Sequence, residues 1–481
     1  MKIPKKRRAP KQVLKELKAK ASEDIDYENG RTWSLAYHIS DAHKKFVADA
    51  HSAYASTNLL NPLAFQSLKE MESEIVQMTA ALLRGSESTV GTVTSGGTES
   101  ILLAVKAARE MGKRKIIPQL GPPNIVVPDS IHVAFDKAAH YFGIKVKRAK
   151  LDDDFRVNLK SLKKLVNRNT VLIAASAPQY AHGVVDPIEE IAAFAKKKHI
   201  PFHVDACFGG FILPWFEKLG EEVPPFDFRV EGVTSISADI HKYGYSAKGA
   251  SVLLYKEMSY LRHQFFIATD WPGGIYASPT ILGTRPGGPI AAAWATLQYL
   301  GEEGYLEITK EVIAVKKIMK EGIAAIDGLK ILGSQHGPIV TYASDDRAVD
   351  LYALADLMQQ KKWAVDRQQK PASIHCTINA INSDAAEQYL SDLREAVATV
   401  RAHPELAKEG QAAMYGMMAK IPVRGAVKMG VIRVMEAMHH HDGMKMDDGL
   451  PGSDDPLMNV LNTYANLALD VWKKMKAGTS R

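Results

Sequence analysis

The sequence predicts an α/β protein, a mostly parallel sheet covered by helices, followed by a smaller α+β unit. Three observations lead there. Strand-like and helical segments alternate from about residue 85 to 255, a glycine turn joins the first strand to its helix, and a long helical run then ends the alternation. In order, residues 66–83 place Leu68, Met71, Ile75, Met78 and Leu82 at helical spacing, with Gly85 as the stop. Residues 91–94 read as a short buried strand, and Gly96-Gly97 opens a helix through Arg109. Strands are expected at 124–127, 171–175, 202–204 and 251–255, with helices at 132–142 and 188–198. A Gly/Pro-rich stretch at 283–289 leads into a helical run over 290–326. The smaller unit reads as strand 339–342, helix 351–361 and strand 374–377. This divides the chain into an N-terminal segment (1–57), a large domain (58–326) and a small C-terminal domain (327–481) with a mobile loop at 439–456.

A chain of 481 residues is long enough for one large and one small domain. Its net charge of +7 raises the question of nucleic acid, but the excess sits in one place. Lys2, Lys5, Lys6, Arg7, Arg8, Lys11, Lys15, Lys18 and Lys20 face only Glu16 across residues 1–20, and the rest is close to neutral. No nucleic-acid partner is therefore expected, and at most a weak peripheral contact with anionic lipid. No run of 18 apolar residues and no secretory signal is read, and Cys207 and Cys376 are too few for a disulfide framework. The expectation is a soluble, cytoplasmic enzyme.

Three motifs carry chemistry. Ser237-Ala-Asp-Ile-His241-Lys242-Tyr-Gly places a lysine just beyond a strand, with Lys248 six residues on. A lysine pressed by other cations loses its proton cheaply and attacks carbonyls. His203-Val-Asp205-Ala ends an apolar strand, which puts a carboxylate at the carboxyl edge of a parallel sheet, where ligands of such folds sit. Asp205 there serves either as a helix cap or as the acid beside a pyridinium nitrogen. Thr94-Ser-Gly-Gly-Thr98-Glu-Ser is a strand-to-helix turn whose free amides suit a phosphate, or simply a capping turn.

In this order the three motifs resemble pyridoxal-phosphate enzymes of the aspartate-aminotransferase-like fold (fold type I), particularly the group II decarboxylases. Ser95-Gly-Gly-Thr-Glu-Ser-Ile-Leu, His203-Val-Asp-Ala-Cys-Phe-Gly-Gly, the run from Phe226 to Tyr245 and Asp270-Trp-Pro-Gly-Gly-Ile-Tyr-Ala-Ser-Pro-Thr are similar to the sphingosine-1-phosphate lyases, over residues 58–415. The resemblance implies pyridoxal 5′-phosphate as cofactor and a phosphorylated sphingoid base as substrate, cleaved to an aldehyde and phosphoethanolamine. It assigns Lys242 as the Schiff-base lysine, Asp205 to the ring nitrogen and His132 to the ring face. Gly97, Thr98, Ser237 and His241 fall to the cofactor phosphate. It implies a homodimer with shared sites, in which Gly287 and Gly288 offer amides across the interface. Lys248 matches the residue that binds the substrate phosphate, and Tyr180 and Tyr415 match site tyrosines. With Lys242 and His241 these are the candidate proton carriers, and Tyr276 is a further site tyrosine. Asn61 stands where the family has a histidine near the substrate phosphate.

The triplet His439-His440-His441 is not read as a metal site, because adjacent side chains diverge. Two rivals remain. An amino-acid decarboxylase would share the cofactor residues but need a carboxylate clamp, and it commonly continues the glycine turn with Ser-Asn where Ser100-Ile101 stand here. A non-catalytic membrane-docking protein would not need the lysine, the aspartate and the phosphate turn together.

Overall fold

The computed structural model describes residues 2–22, 24–113, 121–410, 412, 416 and 424–439. The central sheet contains β1 (Val90–Thr94), β2 (Asn124–Pro128), β3 (Lys145–Ala149), β4 (Thr170–Ser176), β5 (Phe202–Asp205), β6 (Ser235–Ala238) and β7 (Ser251–Tyr255). Their order is β1-β7-β6-β5-β4-β2-β3, and only β7 runs against the others. β2, β4, β5, β6 and β7 are buried along their whole length; β2, β4 and β7 are largely apolar, whereas β5 and β6 are half polar and bury His203, Asp205, Ser235 and Ser237 by pairing them with one another. In β2 and β4, alternation along the strand divides the side chains between two cores. Ile125, Val127, Leu172 and Ala174 face one layer; Val126, Ile173 and Ala175 face the other.

Ahead of the sheet lie α1 (Pro10–Lys20), α2 (Asp41–Ala53) and α3 (Gln66–Leu82). Between its strands come α4 (Gly97–Lys113), α5 (Ala134–Phe142), α6 (Leu159–Leu165), α7 (Ile188–Lys197) and the short α8 (Leu213–Lys218). Helix α4 buries Ile101, Leu102 and Val105 against Ile125, Val127 and Phe135, so its N-terminus is held rigidly at the sheet's edge. Each such side chain, taken from water, contributes roughly 1.5–3 kcal/mol. After β7 come α9 (Met258–Leu261) and the hairpin β8 (Phe266–Ala268)–β9 (Tyr276–Ser278). The run expected as one helix over 290–326 is α10 (Gly287–Ala324), broken at Gly301, whose φ of 53° and ψ of −172° lie outside the helical region.

The second sheet is antiparallel, in the order β10 (Leu329–Ile331), β11 (Ile339–Ser344), β13 (Ala372–Thr377), β12 (Asp366–Gln369). Helices α11 (Leu351–Gln360) and α12 (Ala386–Ala402) accompany it. The start of the chain joins this layer, which no sequence motif foretold. Thr32 bridges to Ala364, the Thr377 amide donates to the Trp33 carbonyl at 2.6 Å, and the buried Trp33 ring packs on Trp363 and Tyr389. The N-terminal segment is thereby stitched to the small sheet, and the residues after Trp33 border the cavity described next.

Every described residue from 2 to 22 is exposed, so the basic segment, helical over α1, packs on nothing in the described chain. No helix among the described residues is long and apolar enough to cross a membrane. A helix ends at His439; the rest of the loop expected at 439–456, with His440 and His441, lies outside the described residues, as does Tyr415.

Candidate active site

At the carboxyl edge of the parallel strands a cavity of about 360 Å³ opens, lined by Gly97, His132, Tyr180, Asp205, Lys242 and Lys248 among others. Segments more than 100 residues apart in sequence meet there because strands β1, β4, β5 and β6 all end at this edge.

The floor is Asp205, the last residue of β5, only 5% exposed. Its Oδ1 accepts the Cys207 amide at 3.1 Å and the Ser237 hydroxyl at 3.5 Å. Behind it the fully buried His203 ring spans Ser235 Oγ (2.9 Å) and Ser237 Oγ (3.2 Å), and burial pushes that imidazole down to about 4, so it is neutral. Register explains the arrangement, since His203 lies opposite Ser235 and Asp205 opposite Ser237. This corrects one expectation. Ser237 is fully buried, with its hydroxyl engaged by His203, Cys207 and Asp205, so it props the carboxylate and is not a phosphate donor.

The wall is the N-terminus of α4. A Cβ on Gly97 would lie 2.7 Å from Asp239 Oδ2 and 2.8 Å from Cys207 Sγ, so only glycine lets this backbone approach so closely. Thr98 is exposed in the first turn, where its hydroxyl and the free amides are available to an anion. His241 sits beside the same turn, with Cε1 3.6 Å from a Cβ built on Gly96. Its Nδ1 donates to the Ala250 carbonyl at 2.7 Å, and burial lowers its pKa. Glu99 serves the turn differently, since its buried carboxylate accepts the amides of Ser95 and Ile281 and ties the turn to the loop after β9.

Lys242 follows β6 in a turn and is half-buried. The sequence reading expected neighbouring cations to strip its proton; the structure places Asp239 Oδ2 2.9 Å from Nζ instead. Burial opposes charge on this amine, but Asp239 outweighs it and the lysine pKa is raised. The carboxylate answers in kind: burial pushes Asp239 up, Lys242 and His241 pull it down further, and the net shift is down. Asp239 Oδ1 is buried with no partner. The depressed lysine is Lys248. It stands at the exposed mouth, donates to the His241 carbonyl at 3.3 Å and lies over the Tyr37 ring at 4.7 Å. Desolvation, then repulsion from Lys242, lowers it to about 8.

His132 is exposed at the rim, and its Nδ1 accepts the Ala134 amide at 3.2 Å, which fixes the imidazole at the start of α5. Tyr180 faces it from the loop after β4. Its hydroxyl donates to Asp366 Oδ2 at 2.5 Å, and its ring stacks on His375 at 4.2 Å.

Further expectations are redirected. The Gly287 amide donates to the Thr57 carbonyl of its own chain, and a Cβ there would lie 1.9 Å from Thr57 Oγ1. A Cβ on Gly288 would meet the His51 ring at 2.7 Å, so both glycines are required by close packing on the end of α2, and Gly287 has no amide to offer a partner. Asn61 closes a turn by accepting the Leu63 and Ala64 amides. Its neighbours Leu60 and Pro62, like Ala277 and Ser278 beside Tyr276, line a separate cavity of about 640 Å³. Neither Asn61 nor Tyr276 borders the Lys242 cavity of its own chain. Sequence reasoning missed Asp239, although it lies within the lysine motif, and Ser34, Leu35 and Tyr37, which carry no motif.

The donor set fits pyridoxal phosphate. A helix N-terminus opened by glycine suits the phosphate, a buried carboxylate suits a protonated ring nitrogen, and an amine suits the aldehyde. Residues 32–344 match the family model of the pyridoxal-dependent decarboxylase conserved domain. The chain is 41% identical over 448 residues to sphingosine-1-phosphate lyase 1 of Rattus norvegicus, covering 92% of this chain and 78% of the rat protein. It is 45% identical over 406 residues to sphingosine-1-phosphate lyase of Arabidopsis thaliana, covering 83% and 74%. Among solved structures, a sphingosine-1-phosphate lyase of Burkholderia pseudomallei superposes with a TM-score of 0.83 at 35% identity, covering 92% of this chain and 97% of that one. A Lactobacillus brevis glutamate decarboxylase, at 21% identity and TM-score 0.74, shares the fold. With a family model over most of its length and such relatives along nearly all of it, the chain is a member of the sphingosine-1-phosphate lyase family of pyridoxal-phosphate enzymes.

Proposed function

We propose that the protein cleaves the C2–C3 bond of sphingosine-1-phosphate and related phosphorylated long-chain bases, giving a long-chain aldehyde and phosphoethanolamine. The observation that carries this reading is Lys248, a second amine on the same cavity as Lys242, set at the mouth where a phosphate can enter. The site thus offers two anion positions: the α4 N-terminus for the cofactor and Lys248 for the substrate.

Bound pyridoxal phosphate supplies an electron sink for the pair released when a bond to the amine-bearing carbon breaks. The chain's residues do the rest. Lys242 Nζ would attach the cofactor, and Asp239 Oδ2, 2.9 Å away, holds that nitrogen in place. Asp205 holds a proton at the ring nitrogen, and the Ser237–His203–Ser235 chain behind it keeps the carboxylate in place. Gly97, Thr98 and His241 would hold the cofactor phosphate, and His132 would stack on the ring. Lys248 then fixes the substrate by its phosphate, which orients the scissile bond.

The partner of this chain is a second copy. Phe266, Ile267, Trp271 and Ile275 of the β8–β9 hairpin are each more than half exposed, apolar surface that a homodimer contact would cover. Buried, unpaired Cys207 and Cys376 suit a reducing cytoplasm.

Sphingosine-1-phosphate and unphosphorylated sphingosine, compared on the cofactor-loaded enzyme, test the reading through Lys248. Lys248→Ala is expected to raise KM for the phosphorylated base by about 10–100-fold, one lost charge-assisted contact, with a smaller change in kcat. Since Lys248 loses its proton near pH 8, KM is lowest below that pH and rises through it in the wild type, a limb that Lys248→Ala lacks. Equal KM values for the two bases would remove Lys248 from substrate recognition.

A further inference from the structure

Tyr180 is bound in an unusual way for a residue facing a reaction site. A phenol has one proton, and here it is committed to Asp366 Oδ2 at 2.5 Å, the short end of the range for a hydroxyl on a carboxylate. Toward the cavity the Tyr180 oxygen can therefore only accept. The pair is built to stay so. Asp366 lies opposite His375 across β12 and β13, and the His375 ring stacks on Tyr180 at 4.2 Å with a 29° tilt. One pair of small-sheet residues thus fixes both the plane and the hydroxyl of a side chain from the large domain, 186 residues from Asp366 in sequence. His375 is fully buried, and its Nε2 pairs with Thr377 Oγ1 at 2.8 Å. Thr377 in turn lines the cavity. Burial holds the imidazole near 4, so it brings no positive charge to compete with the phenol for Asp366.

Resting on the lyase reading above, we propose that Asp366 is a positioning residue that makes Tyr180 the proton acceptor for the substrate hydroxyl on the carbon that leaves. The transfer is a two-proton relay. The substrate O–H breaks as an O–H forms on Tyr180, while Tyr180's own O–H breaks and its proton goes to Asp366. The electron pair left on the substrate oxygen forms the carbonyl of the departing aldehyde, and the pair of the broken carbon–carbon bond passes to the electron sink named above. No net charge accumulates on the tyrosine, which suits a phenol that burial and Asp366 together hold protonated.

The test is made on the cofactor-loaded enzyme turning over sphingosine-1-phosphate. Asp366→Asn is expected to lower kcat by at least about 100-fold, the lower range for a lost general base, with KM within about threefold. Asp366→Glu, which keeps the carboxylate, should recover part of that loss. Because both residues serve one relay, Asp366→Asn in a Tyr180→Phe background should cost less than about threefold more. A proton inventory in mixed light and heavy water should be curved in the wild type, as two protons in flight require, and not in Tyr180→Phe. A structural role for Asp366 would give losses that multiply in the double variant and a linear wild-type inventory; either result overturns the relay. Should Asp366→Asn fail to fold, the inventory and Asp366→Glu still decide. A wild type that does not turn over the substrate sinks the lyase reading itself, whereas a wild type that does, with Asp366→Asn matching it, sinks only the relay.

Discussion

Lys242→Ala lowers kcat by at least about 10⁴-fold, the scale on which loss of a covalent nucleophile is felt, and abolishes the absorbance band of lysine-bound cofactor. The structure adds a second, independent consequence. Asp239 is 2% exposed and its charge is balanced mainly by Lys242 at 2.9 Å, so the variant leaves a buried carboxylate with only His241, 3.7 Å away, beside it. Breaking such a pair costs about 3–5 kcal/mol at neutral pH. The dependence on pH differs between the two proteins. In the wild type the lowered Asp239 pKa contributes stability present above the unfolded-state value and lost as pH falls. In Lys242→Ala burial is opposed only by the weaker pull of His241 and Ser251, the pKa rises, and stability is instead lost as pH climbs through the raised value. The cofactor-free variant should therefore melt higher in mild acid than at neutral pH. Lys242→Arg, which keeps the charge, should restore the melting temperature without the activity. A Lys242→Ala protein melting like the wild type at pH 7 would mean Asp239 does not depend on this lysine.

The second large effect belongs to Asp205. Asp205→Asn is nearly isosteric, and its oxygen can still accept the Cys207 amide and the Ser237 hydroxyl, so stability should change little. What it loses is the negative charge that, in the function proposed above, would keep a proton on the ring nitrogen. The expected drop in kcat is about 10²–10³-fold, as for other lost electrostatic contacts at a reacting centre, with a shifted cofactor absorbance. Ser237→Ala should lie between wild type and Asp205→Asn, since it removes a prop and leaves the charge. Activity of Asp205→Asn within tenfold of wild type would return Asp205 to the role of a helix cap.

Strands β1, β2, β4, β5, β7, β11 and β13 were legible as short segments between helical stretches and turns. By contrast β3, with the sequence Lys-Val-Lys-Arg-Ala, carries no apolar run to mark it, and the strands of the hairpin β8–β9 are too short to show a pattern, so both were missed. Lys242, Asp205, His132, Gly97 and Lys248 meet at one cavity as their motifs implied. What the sequence hid was spatial. Asp239 reads as one more polar residue of a turn until its distance to Lys242 is known. Asp366 lies on a polar edge strand, Asp366–Gln369, with no apolar alternation to mark it. Asn61, which departs from the family's histidine, and Tyr276, taken as a further site tyrosine, both have sequence neighbours lining a different cavity of this chain, and nothing local to either residue carries that information. Residues 34–37 reach the site only because Trp33 is buried against the small sheet, a contact between segments far apart in sequence.

The claim that the chain is a carbon–carbon lyase is tested most directly by identifying what leaves the site. Cofactor-loaded protein is incubated with sphingosine-1-phosphate, and in parallel with glutamate, tyrosine and tryptophan, with aldehyde, phosphoethanolamine and carbon dioxide measured together. Long-chain aldehyde and phosphoethanolamine in equal amounts, with no carbon dioxide from any amino acid, is the predicted result. Carbon dioxide from an amino acid, with sphingosine-1-phosphate recovered intact, would contradict it and make the protein a decarboxylase on the same fold.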